Sequence, residues 1–475
     1  MPQRLIPIAG GFLAIALGAA VAVAVNRRDE SSAARERANR LQEELSEAGE
    51  ADDMFGDVDF GVLTDCLGMD DLLEDFEGDA SAGTGTTPDE SARSQIRTIS
   101  RQVENIRKLE FRSRFKVEFL PPKAVAARAA KLILRDYPAD VADAEARVLA
   151  ALGAIPSGID LRQLSKELLE SQVAGFYVPA TSELVVPSTN PKQPLTANEK
   201  IVLAHELEHA LADQTVGLPV RGRPDPSRAD ETLAAVSVAE GDATLTMQRY
   251  ALDAIPLSEQ LSMLGDPSLA AAEDALEDTP HFLARQLVFP YIAGLEFDCA
   301  LFTRGGWRAV NGAYKDPPTT SAQVMFPDRY RAGEGAIDVR DPAGPGSRWT
   351  HDMESTFGAA HLQWLFEAPG DNEERSLDDP EAAAASWAGG ETHLFTRGAS
   401  SAVGLVLSQR KGDSGLCASV SEWYESAFED EEVTAQGSEQ LARDGGSQGA
   451  VVWCSDREVR VGIGPDLATA RALVE

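Results

Sequence analysis

The sequence predicts an α+β protein in two unequal parts. A mainly helical first domain, residues 96–330, carries a small β-hairpin, and a smaller α+β domain occupies residues 345–475. Three observations predict this. Apolar residues at helical spacing dominate the first part and give way to strand-like alternation in only a few places. The second part mixes short helical and β-patterned stretches. At 475 residues the chain is also long enough for two well-filled cores with appendages.

Leu5 to Val25 is an uninterrupted run of 21 apolar or small residues, flanked by Arg4 and by Arg27-Arg28. That length crosses a bilayer as a helix, so residues 1–28 are expected to be a transmembrane anchor. Ala20-Val21-Ala22 and Ala22-Val23-Ala24 also satisfy the small-residue rule for signal cleavage, so a removed signal peptide is the alternative. The body is expected outside the cytoplasmic membrane, single-pass anchored or secreted. The flanking arginines do not themselves settle orientation.

Residues 29–95 read as an acidic, disordered linker. From Asp29 to Glu90 there are 20 acids against three arginines, a net charge of −17 and half of the chain's −34. That balance, with a pI near 4.5, excludes a general nucleic-acid binder, because phosphate would be repelled.

Ile96, Ile99, Val103, Ile106 and Leu109 then mark one face of an amphipathic helix. Phe115 to Phe119 alternates like a strand and stops at Pro121-Pro122. Helical stretches follow near 123–135, 139–152 and 159–171. Val173–Tyr177 and Glu183–Val186 read as a hairpin turning at Pro179–Ser182. The acidic, Pro- and Gly-rich stretch from Asp328 to Ser347 is the expected boundary. Beyond it the pattern gives helices near 351–366 and 380–387 and strands near 393–397 and 402–409. A helix near 415–428, a hairpin near 449–462 and a last helix from Pro465 complete the chain.

The chemistry is concentrated in His205-Glu206-Leu207-Glu208-His209-Ala210-Leu211-Ala212-Asp213-Gln214. Two imidazoles four residues apart share one face of a helix and can hold one metal ion, with Glu206 beside them to hold and deprotonate a water. This is the zinc-hydrolase pattern HExxH. Thr196 and Glu199 form a capping box at the helix start, and Gly217 with Pro219 marks its end. The apolar residues before and within the motif imply burial, and a buried helix with two histidines and four acids needs charge compensation.

A catalytic zinc takes three protein ligands and keeps one position for water. No third His follows at the HExxHxxGxxH spacing, where Ala212 and Thr215 stand instead. The next candidate is Glu240 in Glu240-Gly241-Asp242-Ala243, on a helix from about Pro226 to Tyr250 that returns antiparallel. Gly241 costs roughly 1 kcal/mol against Ala in a helix interior, and its missing side chain permits a close helix approach. Asp242 and Asp213 are candidates to orient a liganding imidazole.

These blocks resemble those of bacterial envelope-associated zinc metallopeptidases, whose pattern runs QxAGFYxP, HExxHALxDQ, EGDA, FPYxxG, GGWxAVNxAYxxPP and STEQVLHP. Here Gln172–Pro179, His205–Gln214, Glu240–Ala243, Phe289–Gly294, Gly305–Asn311 and Pro317-Pro318 match in that order. The likeness covers about residues 96–330 and extends more weakly to Trp387–Gly390. It implies a zincin-like, gluzincin-type peptidase domain with Glu240 as third ligand, acting on a peptide or protein substrate. Ala322 and Phe326 replace the Glu and His of the last block, which puts substrate specificity or activity in question.

The expected site is therefore Zn2+ on His205, His209 and Glu240, with Glu206 as general base. An oxyanion donor is sought among Tyr177, Tyr250, His281, Tyr291 and His351, with Tyr291 and His281 ranked first because their segment follows the metal helices. The alternative is a peptidase-fold binding module of the envelope with weak or no turnover. Cys417 and Cys454 are the expected disulfide of an exported body, and no CxxC metal signature is present.

Overall fold

The computed structural model describes Cys66 and residues 92–172, 175–188, 194–220, 225–256, 259–260, 275–428, 433–434, 439–444 and 448–475. The expected anchor at 1–28 and nearly all of the acidic linker lie outside these residues. Among the described residues no helix is long and apolar enough to cross a membrane.

The protein is α+β. Helix α1 (Ala92–Arg107) leads into β1 (Lys116–Leu120), then α2 (Pro122–Asp136), α3 (Ala139–Ala151) and α4 (Leu161–Gln172). Strands β2 (Phe176–Val178) and β3 (Glu183–Pro187) form the expected hairpin. The sheet order is β1-β3-β2, with β1 parallel to β3, so β2 is an edge. Both faces of this small sheet are covered, and the period of two sorts its side chains. Tyr177, Leu184 and Val186 pack toward Ile201, Leu207 and Leu211, while Phe176, Val178 and Val185 pack on Val125 and Ala129 of α2.

Helix α5 (Ala197–Thr215) starts at the expected capping box, with the Thr196 hydroxyl accepting from the Glu199 N–H and the Glu199 carboxylate accepting from the Thr196 N–H. It stops where Gly217 takes φ 83°, a conformation that costs a side-chain-bearing residue energy. After a 3₁₀ turn at Pro226–Arg228, α6 (Ala229–Ala254) returns across it, and α7 (His281–Gly305) lies against α6. Short helices α8 (Trp307–Ala313), α9 (Ser321–Met325) and α10 (Pro327–Ala332) close the first part.

At the crossing of α6 and α7, Gly241 faces Gly294. A Cβ on Gly241 would lie 2.1 Å from the Gly294 carbonyl oxygen, and one on Gly294 would lie 2.3 Å from that of Ser237. The expected use of Gly241 thus holds, and its partner is the glycine of the Phe289–Gly294 block.

The C-terminal part is a seven-stranded sheet of order β4-β5-β6-β10-β9-β8-β7. Its strands are β4 (Thr350–Thr356), β5 (Trp387–Arg397), β6 (Ser400–Gln409), β7 (Val433–Thr434), β8 (Glu439–Asp444), β9 (Gly449–Cys454) and β10 (Glu458–Gly464). Helices α11 (Ala359–Glu367), α12 (Pro380–Ala385) and α13 (Leu416–Ala427) precede or interleave them, and α14 (Leu467–Val474) ends the chain. The helix expected at 351–366 is instead a strand followed by α11. Thr350–Thr356 pairs antiparallel with β5, and that pairing overrides a local pattern that fits either structure.

The main apolar core does not stop at the 328–347 connection. Leu149, Phe282, Phe289 and Phe297 share it with Trp364, Leu394, Val403 and Trp423. Two disulfides add covalent ties. Cys417–Cys454 joins α13 to β9 as expected, and Cys66–Cys299 joins the acidic stretch to α7.

Gly241→Ala should force α6 and α7 apart. Backbone on both sides leaves no cheap relaxation, so we expect at least about 2–3 kcal/mol of lost stability in urea denaturation. Gly312→Ala, where a Cβ meets nothing within 4 Å, is the control.

Candidate metal centre

Helix α5 presents His205 and His209 one turn apart, and α6 brings Glu240 to meet them. His205 Nε2 and His209 Nε2 are 3.1 Å apart, and Glu240 Oε2 lies 3.2 Å from the first and 3.4 Å from the second. A tetrahedral ion with ligands at ~2.0–2.1 Å has ligand–ligand edges of about 3.3–3.4 Å. The three atoms therefore match one face of such a coordination sphere. Each of the three residues is at most 1% exposed.

The local electrostatics suit a cation. Burial pushes His205 below the usual imidazole range, which favours the neutral, metal-binding form. Burial alone would raise Glu240, but His209 and His205 outweigh it and hold the carboxyl below its ordinary value. Glu206 is the reverse case. Burial and then the nearby Glu240 charge push it well above the carboxylate range. No side chain among the described residues is hydrogen-bonded to either oxygen, and the Tyr177 backbone N–H lies near enough to offset the rise only in part. Gly175 packs nearby: a Cβ on it would stand 3.1 Å from the Val185 carbonyl oxygen and 3.2 Å from Val202, both tight, and 3.5 Å from Glu206 Oε1, an ordinary contact.

Of the expected oxyanion donors, Tyr291 is beside the cluster, with its ring centroid 6.3 Å from that of His205. His281 is not. It sits ten residues earlier on α7, where Glu367 (2.8 Å) and Glu373 (3.1 Å) engage its two nitrogens. Tyr250 is packed in the core around α5, Tyr177 donates its hydroxyl to Asp213 (2.9 Å), and His351 belongs to the C-terminal sheet. Met247, also on α6, is buried in the core around α5.

Neither Asp213 nor Asp242, the acids expected to orient an imidazole, is hydrogen-bonded to one. His205 Nδ1 and His209 Nδ1 have no partner among the described residues. Asp213 ties the end of α5 to edge strand β2 through Tyr177, and Asp242 accepts from Arg107 while its charge still acts on His205. Residues two apart on a helix are rotated by about 200°, so Glu240 and Asp242 cannot serve one face.

Asp242 serves a second buried group that the sequence reading missed. The Arg107 guanidinium donates to Glu208 (2.8 Å), Asp242 (2.7 Å) and Asn311 (2.9 Å), and lies 4.2 Å from the Trp307 ring centroid. Arg107 is fully buried; the charges of Asp242 and Glu208 overcome its desolvation and raise its pKa. Asp298 and Tyr314 complete the neighbourhood, and burial raises both well above their ordinary values. Alone, Arg107 reads as a solvated charge at a helix end. A signal was present in the motifs, since Glu208, Asp242, Trp307 and Asn311 all come from the blocks that carry the resemblance.

The two departures from that pattern lie elsewhere. Ala322 is buried in α9, whose Ser321 N–H donates to Asp230 at the start of α6, about 15 Å along the helix from Glu240. Phe326 stacks under Arg329. Against known proteins, the chain matches no family model, no curated protein and no solved structure.

Two predictions follow from these geometries. Arg107→Met would leave Glu208 and Asp242 buried without a cation, so it should cost about 3–5 kcal/mol in urea denaturation. Adding Glu208→Gln and Asp242→Asn should restore part of that loss.

The His281–Glu367 pair should show a pH window. Burial opposes both charges, but the pairing raises His281 and, with Arg285, holds Glu367 down to about 2. Its stabilisation should be complete between about pH 4.5 and 6.5. It should fade as pH falls toward 2 and as pH rises through the raised His281 pKa. A double-mutant cycle with His281→Gln and Glu367→Gln should give about 1 kcal/mol of coupling at pH 5.5 and less at pH 9.

Proposed function

We propose that this chain is a zinc-dependent peptidase with a zincin-like first domain, hydrolysing peptide bonds with Glu206 as general base. The observation that carries this reading is the meeting of His205 Nε2, His209 Nε2 and Glu240 Oε2 within 3.4 Å, with the buried Glu206 carboxyl next in sequence. Two imidazoles and one carboxylate make a donor set suited to zinc. When bound, zinc supplies Lewis acidity and lowers the pKa of a water.

The chain's own groups do the rest. Glu206 accepts the proton of the attacking water and returns it to the leaving amine, a role favoured by a carboxyl that burial makes more basic than usual. Tyr291, the one ranked donor beside His205, stabilises the oxyanion. Strand β2 has a sheet partner only on its β3 side among the described residues, and Tyr177 links it to α5. An extended peptide pairing with that edge lies along the metal helix. Val173 and Ala174, the first part of the expected strand, lie outside the described residues.

The body works outside the cytoplasmic membrane, tethered through residues 1–28 or secreted if that segment is cleaved. The two disulfides support an oxidising compartment.

One observation favours a second reading, a peptidase-fold binding module without turnover. His205, Glu206, His209 and Glu240 are each at most 1% exposed, which is more closed than a peptide substrate requires. Glu206→Gln separates the two. As a non-ligand, this variant should keep zinc and fold while losing roughly 10²–10⁴-fold in peptide hydrolysis. Glu240→Ala should lose zinc affinity sharply. Metal-independent peptide binding, with no cleavage by the wild type across a broad peptide library, favours the binding module.

A further inference from the structure

We propose that His351, Glu354 and His393 form a second divalent-metal site, on the edge of the C-terminal sheet, that takes Zn2+. The argument begins with strand register. In a regular strand, residues three apart point to opposite faces, so His351 and Glu354 would be separated. A bulge at Asp352 changes this. His351 pairs with Phe395 and Glu354 pairs with His393, and residues 393 and 395 share a face of β5. The extra residue therefore gathers His351, Glu354 and His393 on one side of the sheet.

Their candidate ligand atoms all lie within 4.8 Å of one another, and the His351 and His393 ring centroids are 4.7 Å apart. Ligands of one zinc stand about 3.3–3.4 Å apart, a closure that small side-chain rotations supply. Neither ring is hydrogen-bonded to another described residue; the nearest carboxylate to His393 Nε2 is Glu391 at 3.9 Å. His393 is 6% exposed, while His351 and Glu354 are open to solvent, so an ion can reach a site whose floor is already formed.

The surroundings are anionic. Asp341 and Glu354 act on both His393 and Glu391, and Glu391 lies two residues from His393 on the same face. Asp341 reaches this face because the 337–346 connection crosses the sheet there. Pro342 covers Gly404, the residue opposite His393, and the Ala343 N–H donates to Leu473. The site thus joins edge strand β4, strand β5 and the connection between the two parts of the chain. A bound ion pins the edge strand, since β4 pairs only with β5 among the described residues.

This site shares no residue with the α5–α6 cluster, so its test is independent of peptidase activity. Metal-free full chain is titrated with zinc against a chromophoric chelator, and amide exchange is followed in β4. We expect two zinc equivalents for the wild type and one for His393→Ala and for His351→Ala, with the remaining affinity unchanged. Glu354→Gln should weaken the second equivalent at least ~10-fold. Zinc should slow exchange in 350–356 of the wild type but not of His393→Ala. In His205→Ala one equivalent should remain, and adding His393→Ala should abolish it. The proposal is overturned if the zinc count is the same with and without His393 and His351. It is equally overturned if the second equivalent binds only as the chain dimerises, which would make the edge a bridge between copies.

Discussion

Everything around the candidate metal centre depends on one buried cation. Helices α5 and α6 each carry a buried carboxylate near the candidate ligands, Glu208 on one and Asp242 on the other, and the Arg107 guanidinium binds both. Without it, two carboxylates with no solvent access would repel each other at the helix crossing that must hold three ligand atoms within 3.4 Å. Buried charge is costly unless paired with good geometry, and here the pairing is reinforced by Asn311 and by the Trp307 ring. Arg107 comes from α1, so an element remote in sequence sets the register of both metal helices.

The helical period explains how one pair of helices serves two purposes. His205 and His209 share a face, while Glu208 projects elsewhere on the same turns; Glu240 and Asp242 divide in the same way. On α6 the candidate ligand Glu240 and Asp242 point to opposite sides, while on α5 Glu208 projects about 60° from His205 and about 100° from His209, toward Arg107. The third constraint is steric. Gly241 sits between Glu240 and Asp242, and its contact with Gly294 brings α7, with Tyr291 and Asp298, against the centre. A compact run of four residues, Glu240–Ala243, thus supplies a ligand, a close contact and an ion-pair partner.

The histidines are distributed among four environments. Two form the α5 pair, and two meet across β4 and β5. His281 holds a carboxylate at the start of α7. His361 accepts from the Gly358 N–H, and burial pushes it down to about 4, so it behaves as a neutral core residue beside Trp364. A chain with so few imidazoles gathers four of them into two clusters with carboxylates, which supports an association with metal beyond the HExxH segment alone.

The sequence by itself determined the α+β class, the helix carrying His205, Glu206 and His209 with its capping box, the β2–β3 hairpin, and the role of Gly241. These rest on local spacing, whose physical meaning does not depend on what folds against it. Glu240 was legible as the next acid candidate on a returning helix and through the resemblance of its block, and the Cys417–Cys454 pair because both cysteines lie in one part of the chain. Only the tertiary structure decided the rest. Thr350–Thr356 is a strand because β5 offers it hydrogen bonds, and Asp242 binds Arg107 because α1 arrives on that side. Tyr291 rather than His281 adjoins His205, because ten residues along α7 separate the two and only one lies at the crossing. In each case the deciding partner is distant in sequence, and a pattern of residue types fixes which face a side chain takes but not what meets it there.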